Sequence, residues 1–313
     1  MLRLTKNVNG LNQQRTVKSM KNYSRLFLLH LIALFWVSIP SLAIDTNSSL
    51  KLQKGNFKIL LSKNEMEPVK LAAKTLCKDF EKVMHYKPEI FQNTDDTQQI
   101  DIVIINEAVD NPLFQSRFIR PLDGFESHRV YCSPEEKRIY LHGKDMRGAI
   151  YAIYTFSELF LGVPPLWYFC SWEPQYKKHV EIKSSFDYFK KSPQVRYRAW
   201  FPNDTDLFKP WRRLSKENDE LWLETMLRLK LNTVELEATV TYPDYKLNSQ
   251  AALLRKYGLV LTSHHHVACN NNLMNWAGYW RKVRGVEPPE LLLSNEKALI
   301  EFWQYSICLL YTS

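Results

Sequence analysis

The sequence predicts an α/β chain, an N-terminal α/β sandwich domain followed by an incomplete TIM-like (β/α) barrel. Three observations carry this. Strand-like apolar runs alternate with amphipathic helical stretches as far as about residue 182; Ser133-Pro134-Glu135-Glu136 has the chemistry of a hairpin turn; and after Pro193 the rhythm changes to strand–helix units of about 30 residues.

The elements follow in order. Residues 57–61 (FKILL) form an apolar strand. Val69, Ala72, Leu76, Phe80 and Val83 then recur every three or four residues, the stripe of an amphipathic helix. Residues 100–105 (IDIVII) make a buried strand, and 127–132 and 138–142 make two more, joined by the turn with Pro134 at its second position. Gly143 ends that pair, and 149–160 reads as a second helix, stopped by Gly162-Val163-Pro164-Pro165. Residues 184–193, polar and closed by a proline, read as a linker between a sandwich domain at 44–183 and a second domain at 194–313. In the second domain, strands at 195–201, 233–240 and 259–262 alternate with helices at 216–229 and 248–257, the latter ended by Gly258. A complete barrel of this kind needs about 250 residues, and 120 follow Pro193. A helix at 296–307 then runs into Cys308 to Ser313 with no turn or cap signal, so the natural chain is expected to continue past Ser313.

The first 43 residues carry six Lys or Arg and no Asp or Glu, then an almost wholly apolar run over 26–39, then the small residues of Ser41-Leu42-Ala43. This is the pattern of a secretory signal peptide cleaved after Ala43, with Met20 an alternative start; the run is too short for a retained span. The mature chain is thus expected to be exported, to the periplasm or outside the cell, with no membrane span left after cleavage. The whole chain has 42 basic and 33 acidic residues, a net of +9; without the leader the balance is 36 against 33, or +3. That mild excess gives no basic face for nucleic acid, while an otherwise neutral substrate with a small acidic group remains compatible. Five widely spaced cysteines, none at metal-site spacing, read as isolated thiols, and the exported compartment permits one long-range disulfide. No cofactor is implied, and the sequence allows a homodimer.

In a β/α barrel the chemistry sits where strands end. Three places qualify: Asn203-Asp204-Thr205-Asp206 after the first strand of the second domain, Glu235 and Glu237 on the second, and Ser263-His264-His265-His266 after the third. Glu235 and Glu237 alternate with apolar neighbours, so both point to one face, with Cα atoms about 7 Å apart. Glycoside hydrolysis also uses two carboxylates, but they flank the scissile bond from opposite sides. Two on one strand therefore suit hydroxyl binding, or partnership with a later residue, better than a complete acid–base pair; a partly solvated rim is the plainer alternative. The histidines admit a metal reading, yet no carboxylate-rich partner motif follows, and a polar substrate-binding edge fits better, with a structural cluster as the remaining reading. Aromatics reach 13%, including Trp167, Trp172, Trp200 and Trp211, which serves sugar stacking and ordinary cores alike.

Several of these residues resemble one family. Gly143-Lys144-Asp145-Met146-Arg147-Gly148 with Ala149-Ile150-Tyr151-Ala152-Ile153-Tyr154 is similar to a block closing the first domain of glycoside hydrolase family 115, the xylan α-glucuronidases; related blocks occur in other α-glucuronidases and hexosaminidases. Asn203-Asp204, Leu227-Arg228-Leu229-Lys230-Leu231-Asn232, Tyr257-Gly258-Leu259-Val260 and Thr262-Ser263-His264-His265 follow in that family's order, and the resemblance spans about residues 55 to 307. It implies a sandwich followed by a barrel, and inverting removal of α-linked glucuronic acid or its methyl ether from xylan-like polysaccharide. It further implies that Asn203 with His264 or His265 lines the uronate pocket, and that the catalytic carboxylates lie past Ser313, leaving this chain inactive alone. Two positions depart from the family: Glu235-Leu236-Glu237 stands where tryptophans are usual, and His266-Val267 where Glu-Pro follows the paired histidines.

Overall fold

The structure, a computed structural model, describes residues 48–92, 99–111, 119–200, 205–235, 240–241, 246–247, 249–262, 267–268 and 271–312. It is a mixed α/β chain. The larger sheet has six strands, in the order β3-β2-β4-β6-β5-β8. These are β2 (Phe57–Leu60), β3 (Ile90–Phe91), β4 (Ile100–Asn106), β5 (His128–Ser133), β6 (Arg138–Gly143) and β8 (Asp187–Lys190). The first four in that order run parallel, whereas β5 pairs antiparallel with both β6 and β8. A separate antiparallel ribbon joins β1 (Ser49–Gln53) to β7 (His179–Lys183).

Alternation along the strands sorts side chains to two faces. Ile59, Ile102, Ile104, Val130, Ile139 and Leu141 lie under helices α1 (Glu67–Met84) and α2 (Met146–Phe156), while Leu60, Val103, Ile105, Tyr131 and Tyr140 form a smaller cluster with Ile119. Helix α1 begins with Pro68 in its first turn and stops at His85, whose φ of 51° is left-handed. Helix α2 starts three residues earlier than its apolar periodicity indicates. The Asp145 side chain accepts a hydrogen bond from the Gly148 amide at 2.8 Å and caps it there. Its C-terminal end widens into a π-helical turn, Ser157–Leu161, which Gly162 closes with φ +76°.

Downstream, β9 (Ala199–Trp200), β10 (Thr233–Glu235) and β13 (Val260–Thr262) form a parallel sheet in the order β13-β10-β9. Helices α3 (Thr205–Leu214) and α4 (Lys216–Arg228) connect β9 to β10, and α5 (Ser249–Tyr257) precedes β13. Two short ribbons, β11 (Val240–Thr241) with β12 (Lys246–Leu247) and β14 (Val267–Ala268) with β15 (Asn271–Asn272), follow β10 and β13. Helix α6 (Glu296–Thr312) packs Leu299 and Phe302 onto Trp276, Tyr279 and Trp280, and continues five residues beyond the span its sequence pattern indicates.

Two expectations change. The stretch 184–193 is not a free linker: Asp187–Lys190 is the edge strand β8, because Tyr131, Val130, Arg129 and His128 offer a vacant strand edge and an Arg129–Asp187 ion pair fastens the register. Of the strand expected over 195–201, Ala199–Trp200 is strand and 195–198 is not, since the Arg198 guanidinium turns back to the carbonyls of Val195 and Arg196. The apolar core is also continuous across the expected boundary. Trp222, Met226, Leu227, Val234, Leu254 and Tyr257 belong to the same cluster as the residues under α1 and α2.

Candidate functional site

The parallel sheet sets two ends apart. Where its strands finish, Trp200 lies opposite Val234, and Glu235 lies opposite Thr262. Val234 is fully buried and anchors β10, which leaves Glu235 half-buried at the rim. Of the residues expected at this rim, Glu235 ends β10 and Thr205 and Asp206 start α3; Asn203, Asp204, Glu237, His264, His265 and His266 lie outside the described residues, as does the leader 1–43.

Sequence reading undervalued the aromatic wall beside the rim. Trp200 contacts Phe208 and Phe169, each with ring centroids 6.3 Å away; Trp211 contacts Phe169 and Phe208 at 5.1 Å; and Phe208 rests on Trp222 at 5.1 Å. Helix α3 carries Phe208 and Trp211 to this wall, and the turn Trp167–Phe169 brings in Phe169, which stays exposed along with Tyr168. Exposed ring faces next to a strand-end rim suit the C–H faces of a saccharide. The only signal available beforehand was a high aromatic content with no common period.

At the other end, where the strands begin, polar residues form a closed network. Glu126, fully buried, accepts from Arg147 Nε and Arg198 NH2 at 2.5 Å and from Asn232 Nδ2 at 2.8 Å. The Asn232 side chain also accepts from the Arg198 amide at 2.8 Å, and Arg147 NH1 donates to the Gly258 carbonyl at 3.2 Å. Nearby, Asp79 on α1 accepts from Ser157 Oγ and Arg228 NH2, both at 2.6 Å, while Arg228 Nε donates to Glu224 at 2.7 Å. Burial would lower the Arg228 pKa, but the Asp79 and Glu224 carboxylates more than offset that, and it is raised.

These contacts assign a physical role to the blocks of sequence singled out above. Asp145, Arg147 and Gly148 belong to the block at 143–154, Arg228 and Asn232 to that at 227–232, and Gly258 to that at 257–260. Arg147, Arg228, Asn232 and Gly258 join the first segment to the residues around the starts of the parallel strands, while Asp145 and Gly148 cap α2 beside them.

Among the described thiols, Cys77 and Cys132 are pushed up, by burial, to about 11 and about 12, so they are unreactive at neutral pH; Cys170 is exposed, and all three are free. Among the described residues no group of three or more His, Cys, Asp or Glu is placed to hold a metal ion, and no helix is long and apolar enough to cross a membrane. The histidine run at 264–266 is outside that set.

Residues 190–309 match the family model described as glycosyl hydrolase family 115. Among solved structures, a family 115 4-O-methyl-α-glucuronidase with specificity for decorated arabinogalactans superposes with a TM-score of 0.60 at 23% identity, covering 82% of this chain and 34% of that one. Streptomyces plicatus N-acetyl-β-hexosaminidase aligns at 12% identity and a TM-score of 0.44, over 78% of this chain and 48% of its own. No curated protein matches the sequence. The first of these likenesses establishes a shared fold; this chain spans about a third of that structure's length.

Proposed function

We propose that the chain is a member of glycosyl hydrolase family 115, whose model matches residues 190–309, and that it is the N-terminal part of an exported glycoside hydrolase. The enzyme removes α-linked glucuronic acid, or its 4-O-methyl ether, from side chains of xylan-like or other decorated plant polysaccharides, with inversion. The observation that carries this reading is the family match over 190–309, which contains the parallel strands β9, β10 and β13.

In this reading the three strands open a (β/α) barrel whose later strands bring the acid and base carboxylates. Asn203, Asp204, Glu235, Glu237, His264 and His265 line the substrate rim, and the aromatic wall around Trp200 supports the sugar chain. The leader at 1–43 directs export. In an inverting enzyme the acid protonates the glycosidic oxygen while the base activates water on the opposite face of the ring, so an α-linked uronate leaves as the β-anomer. The test is uronic acid release from glucuronoxylan and arabinogalactan, with the anomer followed by proton NMR. A version of the protein extended through the remaining barrel strands is expected to release β-glucuronic acid, and the present chain none. First appearance of the α-anomer would overturn inversion, and hydrolysis by the present chain would overturn the placing of the carboxylates.

One observation favours a second reading. Glu235, half-buried at the rim, stands where tryptophans are usual in the family the chain resembles, so a polar carboxylate replaces a flat apolar stacking face. The alternative is a glycosidase of the same scaffold acting on another sugar, or a homologue that binds glycan without cleaving it. Glu235→Gln in the extended enzyme is expected to shift the preference between uronate and neutral glycosides while leaving the melting temperature unchanged; identical kinetics across such a panel would remove Glu235 from the site.

A further inference from the structure

A cavity of about 660 Å³ opens at the end of the parallel sheet where β9 and β10 begin, between β8, the connection through Pro193 and the turn Leu229–Leu231. That volume lies within the range of small-molecule sites. Tyr151 and His128 form its buried floor, and Phe189, Leu229 and Leu231 form apolar walls.

Its charge is one-sided. Lys190, Lys191, Arg198 and Lys230 line it against a single carboxylate, Glu126. Glu126 is already bonded to Arg147, Arg198 and Asn232, so it offers nothing to an incoming cation. Lys230 is held by the Arg228 carbonyl at 2.9 Å and by Glu158 at 3.6 Å. Lys190 and Lys191 are exposed and form no ion pair with the described residues. Free positive charge therefore sits over an apolar bowl. A neutral sugar would leave the lysines unused, and a small inorganic anion would leave the walls unused. A carboxylate on a ring with an apolar face uses both.

We propose that this cavity is a second, non-catalytic subsite for glucuronate-bearing glycan, in which Lys190 and Lys191 meet the carboxylate and Phe189 and Leu229 meet the C–H face of the ring. The proposal rests on the family reading above for the identity of the sugar. It places the subsite at the starts of the strands, whereas the rim at Glu235 and Thr262 lies at their ends, so each can be emptied without touching the other.

The test is saturation-transfer NMR of methyl α-D-glucuronoside with the full chain, using methyl α-D-glucoside as the neutral control. Transfer to the glucuronoside is expected to fall about fivefold or more in the double variant Lys190→Glu/Lys191→Glu and in Phe189→Ala, and to persist in Asn203→Ala/His264→Ala. Both lysines and Phe189 are exposed, so these variants fold, which circular dichroism verifies. Absence of transfer in the parent chain, equal transfer to the glucoside, or transfer that survives the lysine and phenylalanine changes would overturn the subsite. Loss confined to Asn203→Ala/His264→Ala would overturn it too while leaving the family reading standing, and hydrolysis by the extended enzyme tests that reading separately.

Discussion

Arg228 is the residue on which the seam between the two segments turns. It is 1% exposed, bonded to Asp79 and Glu224, and its guanidinium lies 4.6 Å from the Tyr154 ring centre. Removing one partner of such a pair leaves the other buried and uncompensated. Arg228→Ala is therefore expected to cost about 3–5 kcal/mol by urea unfolding, whereas Arg228→Met combined with Asp79→Leu should recover most of that loss. Equal losses in the two variants would mean that the pair itself, not the stranded carboxylate, sets the cost. His128 gives a pH dependence of definite sign. Burial lowers its pKa to about 4, so the folded chain binds fewer protons than the unfolded one below neutrality. Its contribution is complete above pH 6.5 and fades as pH falls toward 4. By pH 4.5 stability should have dropped by about 2.5 kcal/mol from this group alone, a decline that His128→Gln should remove when both proteins are unfolded at pH 7 and 4.5. The partners of these buried groups do not announce themselves in the sequence. Arg228 sits among residues of ordinary helical spacing, and Glu126 meets its partners across 21, 72 and 106 positions of chain, a separation that no local pattern reports.

Elements with strong internal periodicity were legible. The stripe through Val69, Ala72, Leu76, Phe80 and Val83 fixes α1, and the unbroken run in IDIVII fixes β4. Elements held mainly by what lies beside them were not. Strand β8 is polar at both ends, and the β1–β7 ribbon pairs residues more than a hundred positions apart, so each takes its conformation from a partner rather than from its own composition. Helix α3 was masked by Pro210 and by a start rich in Asn and Asp; the Asn218 side chain donates to the Trp211 carbonyl at 2.6 Å and satisfies an acceptor in its last turn. At the start of α2 the decisive element is absence of bulk. A Cβ on Gly143 would stand 1.8 Å from the Ala149 amide nitrogen, a backbone atom that cannot rotate away, while Gly55 has φ +81° and open space around it. Gly143→Ala is expected to cost more than about 4 kcal/mol and to lower soluble yield, while Gly55→Ala should cost about 1–2 kcal/mol from strain alone. Chemical denaturation of both measures the contrast, and similar losses would show that the start of α2 can give way to a methyl group.

On the scale of the molecule, the six-stranded sheet and the parallel three-stranded sheet share one apolar core and two buried ion networks. They are expected to melt together, in a single calorimetric transition whose van't Hoff and calorimetric enthalpies agree; two resolved transitions would show that the seam is weaker than the cores it joins. The general α/β plan was legible because strand and helix periods are written locally. Of the candidate rim, the described residues are Glu235 with Thr205 and Asp206; Trp200 and Trp211 stood out in the sequence only as aromatics, because they meet Phe208 only after α3 folds back. The two borders of the larger sheet carry a last consequence. One border is β3, two residues long, and the other is β8, bracketed by Asp187 and Lys190 and followed by Lys191 and Pro193. Charge, brevity and a missing amide donor are poor invitations to a foreign strand. A protein with this much buried β-structure can thus stay dispersed at concentrations where a bare, lengthy border would seed fibrils.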